Sequence, residues 1–149
     1  MKIRVLFICT HNSARSQMAE AFLKDKYPER YEVYSAGTKP SRINPYVVKV
    51  MAELGFDLSN NKTKSVNEFL DKKIDFVITV CNSAKETCPF FPGAKGYIHH
   101  GFPDPSRFTG SESEILVQVR EVRDEIKNWI QEYFSENKLA PNKFITINV

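Results

Sequence analysis

Residues 9 to 16 read Cys9-Thr10-His11-Asn12-Ser13-Ala14-Arg15-Ser16. A sulfur nucleophile, five intervening residues and an arginine make a compact set that can hold an oxyanion and attack its central atom. Such a loop, opening into a helix, aims backbone N–H groups and the positive end of the helix dipole at a tetrahedral anion. Arg15 adds a planar fork able to clamp two oxygens. Helix N-termini and nearby cations favour the thiolate form of a cysteine, and the Ser16 hydroxyl can donate to that sulfur. Cys9 is therefore a candidate nucleophile, with Thr10, His11, Asn12, Ser13, Ala14 and Arg15 as the oxyanion loop. The alternative is a buried cysteine that only packs.

Asp104 lies in Pro103-Asp104-Pro105, where the flanking prolines stiffen the backbone. A carboxyl held over an anion tends to stay protonated, because ionising it adds like charge. It can then give its proton to a departing oxygen. A turn aspartate between prolines is the competing reading.

Six residues separate Cys81 from Cys88. Ser83 and Glu86 fit a capping box for a short helix there, and Pro89 stops it. Seven helical steps advance the chain about 10.5 Å, whereas a disulfide needs Cα atoms within roughly 7 Å. A Cys81–Cys88 bond thus requires that helix to unwind, which makes the pair a switch rather than a staple, unless the two cysteines never pair. The spacing is too wide for a structural zinc pair. His99 and His100 face opposite ways on a strand, so no metal site is expected.

These residues must be positioned by alternating strands and helices. Ile3 to Ile8 is a short apolar run that reads as a buried parallel strand. Met18, Ala19, Phe22 and Leu23 share one helical face, and Pro28 marks the break. Tyr31 to Ser35 alternates as a strand closed by Gly37 and Pro40. Asn44-Pro45 starts a helix with the stripe Val47, Val50, Met51 and Leu54, stopped by Gly55. Ser65 and Glu68 box a short helix through Phe69 and Leu70. Ile74 to Val80 is the strongest strand, and Tyr97 to His100 a weaker one. Ser111 and Glu114 cap a long helix with Ile115, Val119, Val122, Ile126, Ile130 and Tyr133 on its buried side. This order predicts an α/β fold, a single-domain three-layer sandwich with a four-stranded parallel sheet and helices on both faces. Cys9, Cys81 and Asp104 all follow predicted strands, where ligands sit in such sheets. One domain is expected over residues 1–138. The tail, 139–149, alternates weakly from Phe144 to Val149 and reads as an edge strand, a pairing segment or disorder.

At 149 residues the chain suits one domain with a real core. Its net charge of +3 comes from interspersed rather than clustered residues, so no nucleic-acid surface is indicated. No apolar run can span a membrane. The first strand is too short for a signal peptide and leads straight into the cysteine loop. An odd count of three cysteines in a chain read as cytoplasmic argues against a disulfide framework.

The run Cys9 to Glu20, the Asp104-Pro105 pair, and Cys81 with Cys88 before Pro89 together resemble the thioredoxin-coupled arsenate reductases, which share the fold of the low-molecular-weight protein tyrosine phosphatases. The likeness covers nearly all of residues 1–136. It implies that Cys9 attacks arsenic while the loop and Arg15 hold the oxygens and Asp104 protonates the departing one. It further implies a Cys9–Cys81 disulfide, then a Cys81–Cys88 disulfide reduced by thioredoxin, with no tightly bound cofactor. Some members carry a further cysteine where this chain has Ala14, outside the relay. Some bind potassium through residues matching Asn12, Glu20 and Ser35. A further aspartate of that site falls near Ser65 here, so Asn12 and Ser35 read instead as groups that brace the loop. Two other functions use the same loop. A phosphatase needs only Cys9, Arg15 and Asp104, although the family's phosphatases carry tyrosines where Ser106, Arg107 and Phe108 follow here. A cysteine phosphocarrier or phosphate-sensing module needs neither Asp104 nor a resolving pair.

Overall fold

The computed structural model describes residues 2–135, 139 and 145–148. Its elements alternate as the sequence predicts: β1 (Ile3–Cys9), α1 (Arg15–Lys26), β2 (Tyr31–Gly37), α2 (Pro45–Ala52), β3 (Phe76–Thr79), α3 (Asn82–Thr87), β4 (Gly96–His99), α4 (Glu112–Phe134) and β5 (Ile145–Asn148). Short 3-10 turns cover Val66–Phe69 and Pro105–Arg107. Among the described residues the strands form one sheet in the order β2-β1-β3-β4-β5, parallel throughout. The expected four-stranded core is β1 to β4. Ile145–Asn148 adds a fifth strand beside β4, pairing Gly96 with Ile145 and His99 with Asn148. Of the tail's other residues only Leu139, which is buried, lies among those described.

Successive strand residues point to opposite faces, and every residue from Val5 to Cys9 is buried, so both faces of the sheet are covered. Phe7 meets Phe134 of α4 edge-on, with ring centroids 6.4 Å apart. Met18, Ala19, Phe22 and Leu23 form the buried side of α1, as their spacing requires. α1 ends at Lys26, since Tyr27 precedes Pro28 and is disfavoured in the helical region.

Asn44 caps α2 by accepting from Tyr46 and Val47 N–H, and Ser65 and Ser111 both sit in capping boxes with Glu68 and Glu114. Leu54 departs from its expected stripe. α2 ends at Ala52, and Leu54 falls in the turn before Gly55 (φ +88°), where it is 37% exposed. The buried Arg123 of α4 donates to Val50 O at 2.9 Å and pairs with Glu53 and Asp124. It thereby satisfies a carbonyl near the end of α2 that no helical partner reaches.

The strand order reverses direction between β1 and β3. The crevice beyond their carboxyl ends is where ligands bind in open α/β sheets. Cys9 closes β1 there, and Cys81 follows β3.

Candidate active site

The oxyanion loop joins Cys9 to α1. Its carbonyls are turned outward onto the segment after β2: Cys9 O accepts from Thr38 N–H, Thr10 O from Lys39, His11 O from Ser41 and Ser13 O from Asn44. That frees the amide side of the loop for the crevice. Ala14 is the N-cap of α1 and offers no side-chain cap, so the helix's first N–H groups have no side-chain acceptor of the usual kind. The Arg15 side chain is almost fully buried. It donates to Phe102 O at 3.2 Å and faces Asp104 at 3.6 Å, while its Nε has no partner among the described residues. Uncapped helix amides and a buried guanidinium N–H without an acceptor define a place for an anion.

Cys9 is buried, and its sulfur lies 2.9 Å from Ser16 Oγ. The neighbouring bonds decide which group donates. Asn12 Oδ1 accepts from Lys64 N–H at 2.9 Å and from Gln17 Nε2 at 3.1 Å, which fixes its Nδ2 as the end facing Ser16 and Ser35. That NH2 donates to Ser16 Oγ at 2.8 Å and to Ser35 Oγ at 3.0 Å. The Ser16 oxygen is therefore an acceptor toward Asn12, and its own proton is free for the Cys9 sulfur. Ser35 in turn donates to Glu20 at 2.6 Å. Asn12 is fully buried at φ +54°, a left-handed conformation that asparagine tolerates better than most residues. Asn12 and Ser35 thus brace the loop, as expected from sequence.

Asp104 serves both readings proposed for it. Its Oδ1 accepts from Ser106 N–H at 3.0 Å and Oγ at 2.8 Å, as a turn cap, while Oδ2 faces Arg15 and, at 3.9 Å, Arg107. Burial pushes its pKa up, but the Ser106 bonds with the Arg15 and Arg107 charges outweigh it and leave the carboxyl below its ordinary range. The protonated state expected from sequence is therefore not that of the anion-free site, because that expectation assumed the anion's charge already in place.

Cys81 is brought to Cys9 by strand pairing. Ile8 pairs with Thr79 and Val80 N–H donates to Ile8 O, so Cys81 emerges level with Thr10. Its sulfur lies 3.3 Å from Thr10 Oγ1. The expected Ser83–Glu86 box is absent: α3 begins at Asn82, and Cys81 itself is the N-cap, its sulfur accepting from Ala84 N–H at 3.4 Å. The helix starts earlier than the box required because β3 delivers Cys81 in extended backbone, with its sulfur already over the first turn.

Cys88 is the C-cap at the other end, bonded to Pro89 O at 3.4 Å, and burial pushes its thiol up to about 11. All three cysteines are free. A cavity of about 720 Å3 opens over the site, lined by Thr10, His11, Arg15, Cys81, His99 and Asp104 among others. Cys9 lies beneath it. Ser13 and Ala14 contribute backbone only, and His11 is fixed by Nδ1–H donating to Lys39 O at 2.9 Å.

Sequence reasoning missed Gly37, whose role is to leave room. A Cβ there would meet Thr10 O at 2.6 Å and Asn12 N at 2.9 Å. It also missed Gln17, Phe102 O and the Thr79–His99–Asn82 chain, all of which act through contacts far apart in sequence. Among the described residues no group of histidines, cysteines and acids could hold a metal ion, and no helix is long and apolar enough to cross a membrane.

Residues 4–143 match the family of low molecular weight phosphotyrosine protein phosphatases. Over 134 residues the chain is 39% identical to an arsenate reductase of Halalkalibacterium halodurans, covering 90% of this chain and 96% of that one. A solved arsenate reductase in the phosphate-binding state has a TM-score of 0.75 at 29% identity, over 91% of this chain and 98% of the other. The thioredoxin-dependent arsenate reductase of Corynebacterium glutamicum gives a TM-score of 0.58 at 30% identity, over 89% of this chain and 63% of its own length. The chain belongs to the low molecular weight phosphotyrosine protein phosphatase family.

Proposed function

We propose that this member of the family reduces arsenate to arsenite through a relay of Cys9, Cys81 and Cys88 that thioredoxin recharges. The observation that carries the reading is the Cys81 sulfur on the Thr10 hydroxyl, one residue from the nucleophile. Ester hydrolysis needs no second thiol there. The arsenate reductase relatives support the substrate, and the thioredoxin-dependent one supports the reductant.

In the first step Cys9 thiolate attacks arsenic and an As–O bond breaks. The loop amides and Arg15 hold the remaining oxygens, and the leaving oxygen takes a proton and departs as water. Asp104 is the donor, although it is ionised in the empty site. An incoming arsenate brings its own proton and competes for Arg15, and both effects move that proton onto the carboxyl. In the second step Cys81 thiolate attacks the Cys9 sulfur. The S–S bond forms, the S–As pair stays on arsenic, and As(V) leaves as As(III) arsenite. Thr10 and the first turn of α3 stabilise the Cys81 thiolate that this step needs. Once that sulfur joins Cys9 it no longer caps Ala84 N–H, so the reaction itself weakens the start of the helix that must unwind. In the third step Cys88 attacks Cys81 and releases Cys9. A thioredoxin dithiol then reduces the Cys81–Cys88 disulfide and becomes a disulfide itself. Three free thiols in this exchange suit the reducing cytoplasm.

The test is arsenate reduction with thioredoxin, its reductase and NADPH as the sole electron source. Wild-type protein should turn over continuously, and Cys88→Ser should complete about one turnover and stop. Continued turnover by Cys88→Ser removes Cys88 from the mechanism. The intact Cys9, Arg15 and Asp104 set also supports slow hydrolysis of small phosphate esters, which Cys81→Ser should leave unimpaired.

A further inference from the structure

The segment from Asn82 to Phe91 is held at both ends by the same face of β4. Tyr97 and His99 are two residues apart on the strand and so point the same way. The Tyr97 hydroxyl accepts from Phe91 N–H at 2.8 Å, at the end where Phe91 is buried. His99 holds the other end: Asn82 Oδ1 faces its Nε2 at 3.0 Å, and Thr79 Oγ1 lies 2.8 Å from its Nδ1. An amide oxygen only accepts, so Nε2 carries the proton and Nδ1 accepts from the Thr79 hydroxyl. Burial first, then the nearby Lys85 and His100, keep His99 below the usual histidine range, consistent with this neutral tautomer. Gly101 packs against the contact, since a Cβ there would stand 3.0 Å from Asn82 Oδ1 and 3.5 Å from His99 Nε2. Asn82 itself is exposed and otherwise free to leave.

We propose that His99 is a positioning residue for the thiol relay: its bond to Asn82 latches α3 in the helical, dithiol form and is broken when the Cys81–Cys88 disulfide forms. The inference rests on the relay proposed above. In the step concerned, Cys88 loses its proton to solvent and its thiolate attacks the Cys81 sulfur of the Cys9–Cys81 disulfide. The Cys81–Cys88 bond forms, and Cys9 departs with the electron pair as a thiolate. The two joined cysteines cannot stay a full helix apart, so residues 82–87 leave the helix. Phe91 remains anchored by Tyr97, and Asn82 is the end that yields. The latch therefore stabilises the dithiol but not the disulfide, and a lesion in it shifts the balance between them.

The experiment equilibrates full-length protein with reduced and oxidised glutathione, without arsenate, and counts Cys81 and Cys88 thiols by alkylation and peptide mass spectrometry. The exchange is protein dithiol plus oxidised glutathione giving protein disulfide plus two reduced glutathiones. His99→Ala should move the equilibrium about fivefold toward the disulfide, near 20 mV more negative at about 30 mV per tenfold. The same substitution should have no further effect in an Asn82→Ala background, since the two residues act as one contact. His99→Gln, which keeps a donor and an acceptor, should restore most of the wild-type balance. An unchanged equilibrium in His99→Ala, or an equal shift in the Asn82→Ala background, overturns the latch while leaving the relay standing. Failure of wild-type protein to form any Cys81–Cys88 disulfide overturns both.

Discussion

Replacing Ser16 by alanine tests whether the hydroxyl over Cys9 is what holds that sulfur as an anion. The Ser16 oxygen lies 2.9 Å from the sulfur and accepts from Asn12, so its proton is committed to Cys9. A hydrogen bond to a charged group contributes about 1.5–3 kcal/mol, so its loss lowers the thiolate fraction roughly 13- to 160-fold wherever the thiol form dominates. The reactive rate falls less, because a more basic thiolate is a better nucleophile with a Brønsted slope of about 0.4–0.5. The two effects leave a net loss of roughly 4- to 16-fold. Asn12 keeps Ser35 as an acceptor but has one N–H left unpaired in a fully buried site, at a stability cost of about 1–3 kcal/mol. The assay is Cys9 alkylation by iodoacetamide, followed by peptide mass spectrometry across acidic pH, with urea unfolding to verify the fold. Slower alkylation that recovers as pH rises is the expected result. Wild-type alkylation at every pH, in a protein destabilised as calculated, would refute the assignment of the Ser16 proton to the sulfur.

Gly37→Ala puts a methyl group against the backbone of Thr10 and Asn12. It should cost roughly 1–3 kcal/mol of stability and weaken phosphate binding at least tenfold by calorimetry; wild-type affinity would show that the loop is not seated on β2 as described. Cys88 carries a pH signature. Burial raises its pKa from 9.0 to about 11, so its contribution to the closed fold is complete below pH 9 and is lost as pH rises through about 11. At neutral pH the native thiol should alkylate on the order of 100-fold more slowly than in denatured protein. Between pH 9 and 11 wild type should lose more stability than Cys88→Ala, and parallel pH curves for the two proteins would contradict the burial.

The chemistry-bearing residues were legible because their meaning is local. A strand, a cysteine, a short loop with an arginine and a helix are adjacent in the chain, and that adjacency alone makes an anion cradle. The alternation of periods 2 and 3.6 likewise dictated a parallel sheet, whose strand ends had to gather Cys9, Cys81 and Asp104. Local rules failed where tertiary packing supplied the partner. The Ser83–Glu86 box gave way to Cys81 because β3 set the helix's starting point, and Leu54 was left outside the core because α2 stopped at Ala52.

What the chain alone could not decide is which atom faces which across the sheet. The direction of the Ser16 proton depends on Asn12, which is oriented by Lys64, some fifty residues away. The level at which Cys81 emerges beside Thr10 depends on the register of β3 against β1. The empty shoulder at Gly37 and the bond from His99 to Asn82 follow from how close β2 and β4 come to loops they are not joined to. Sequence determines the residue types and the periods of its elements, because those act over a few bonds. Proton direction, spacing between thiols and the hold on a mobile helix are set only when distant segments meet at hydrogen-bond distance.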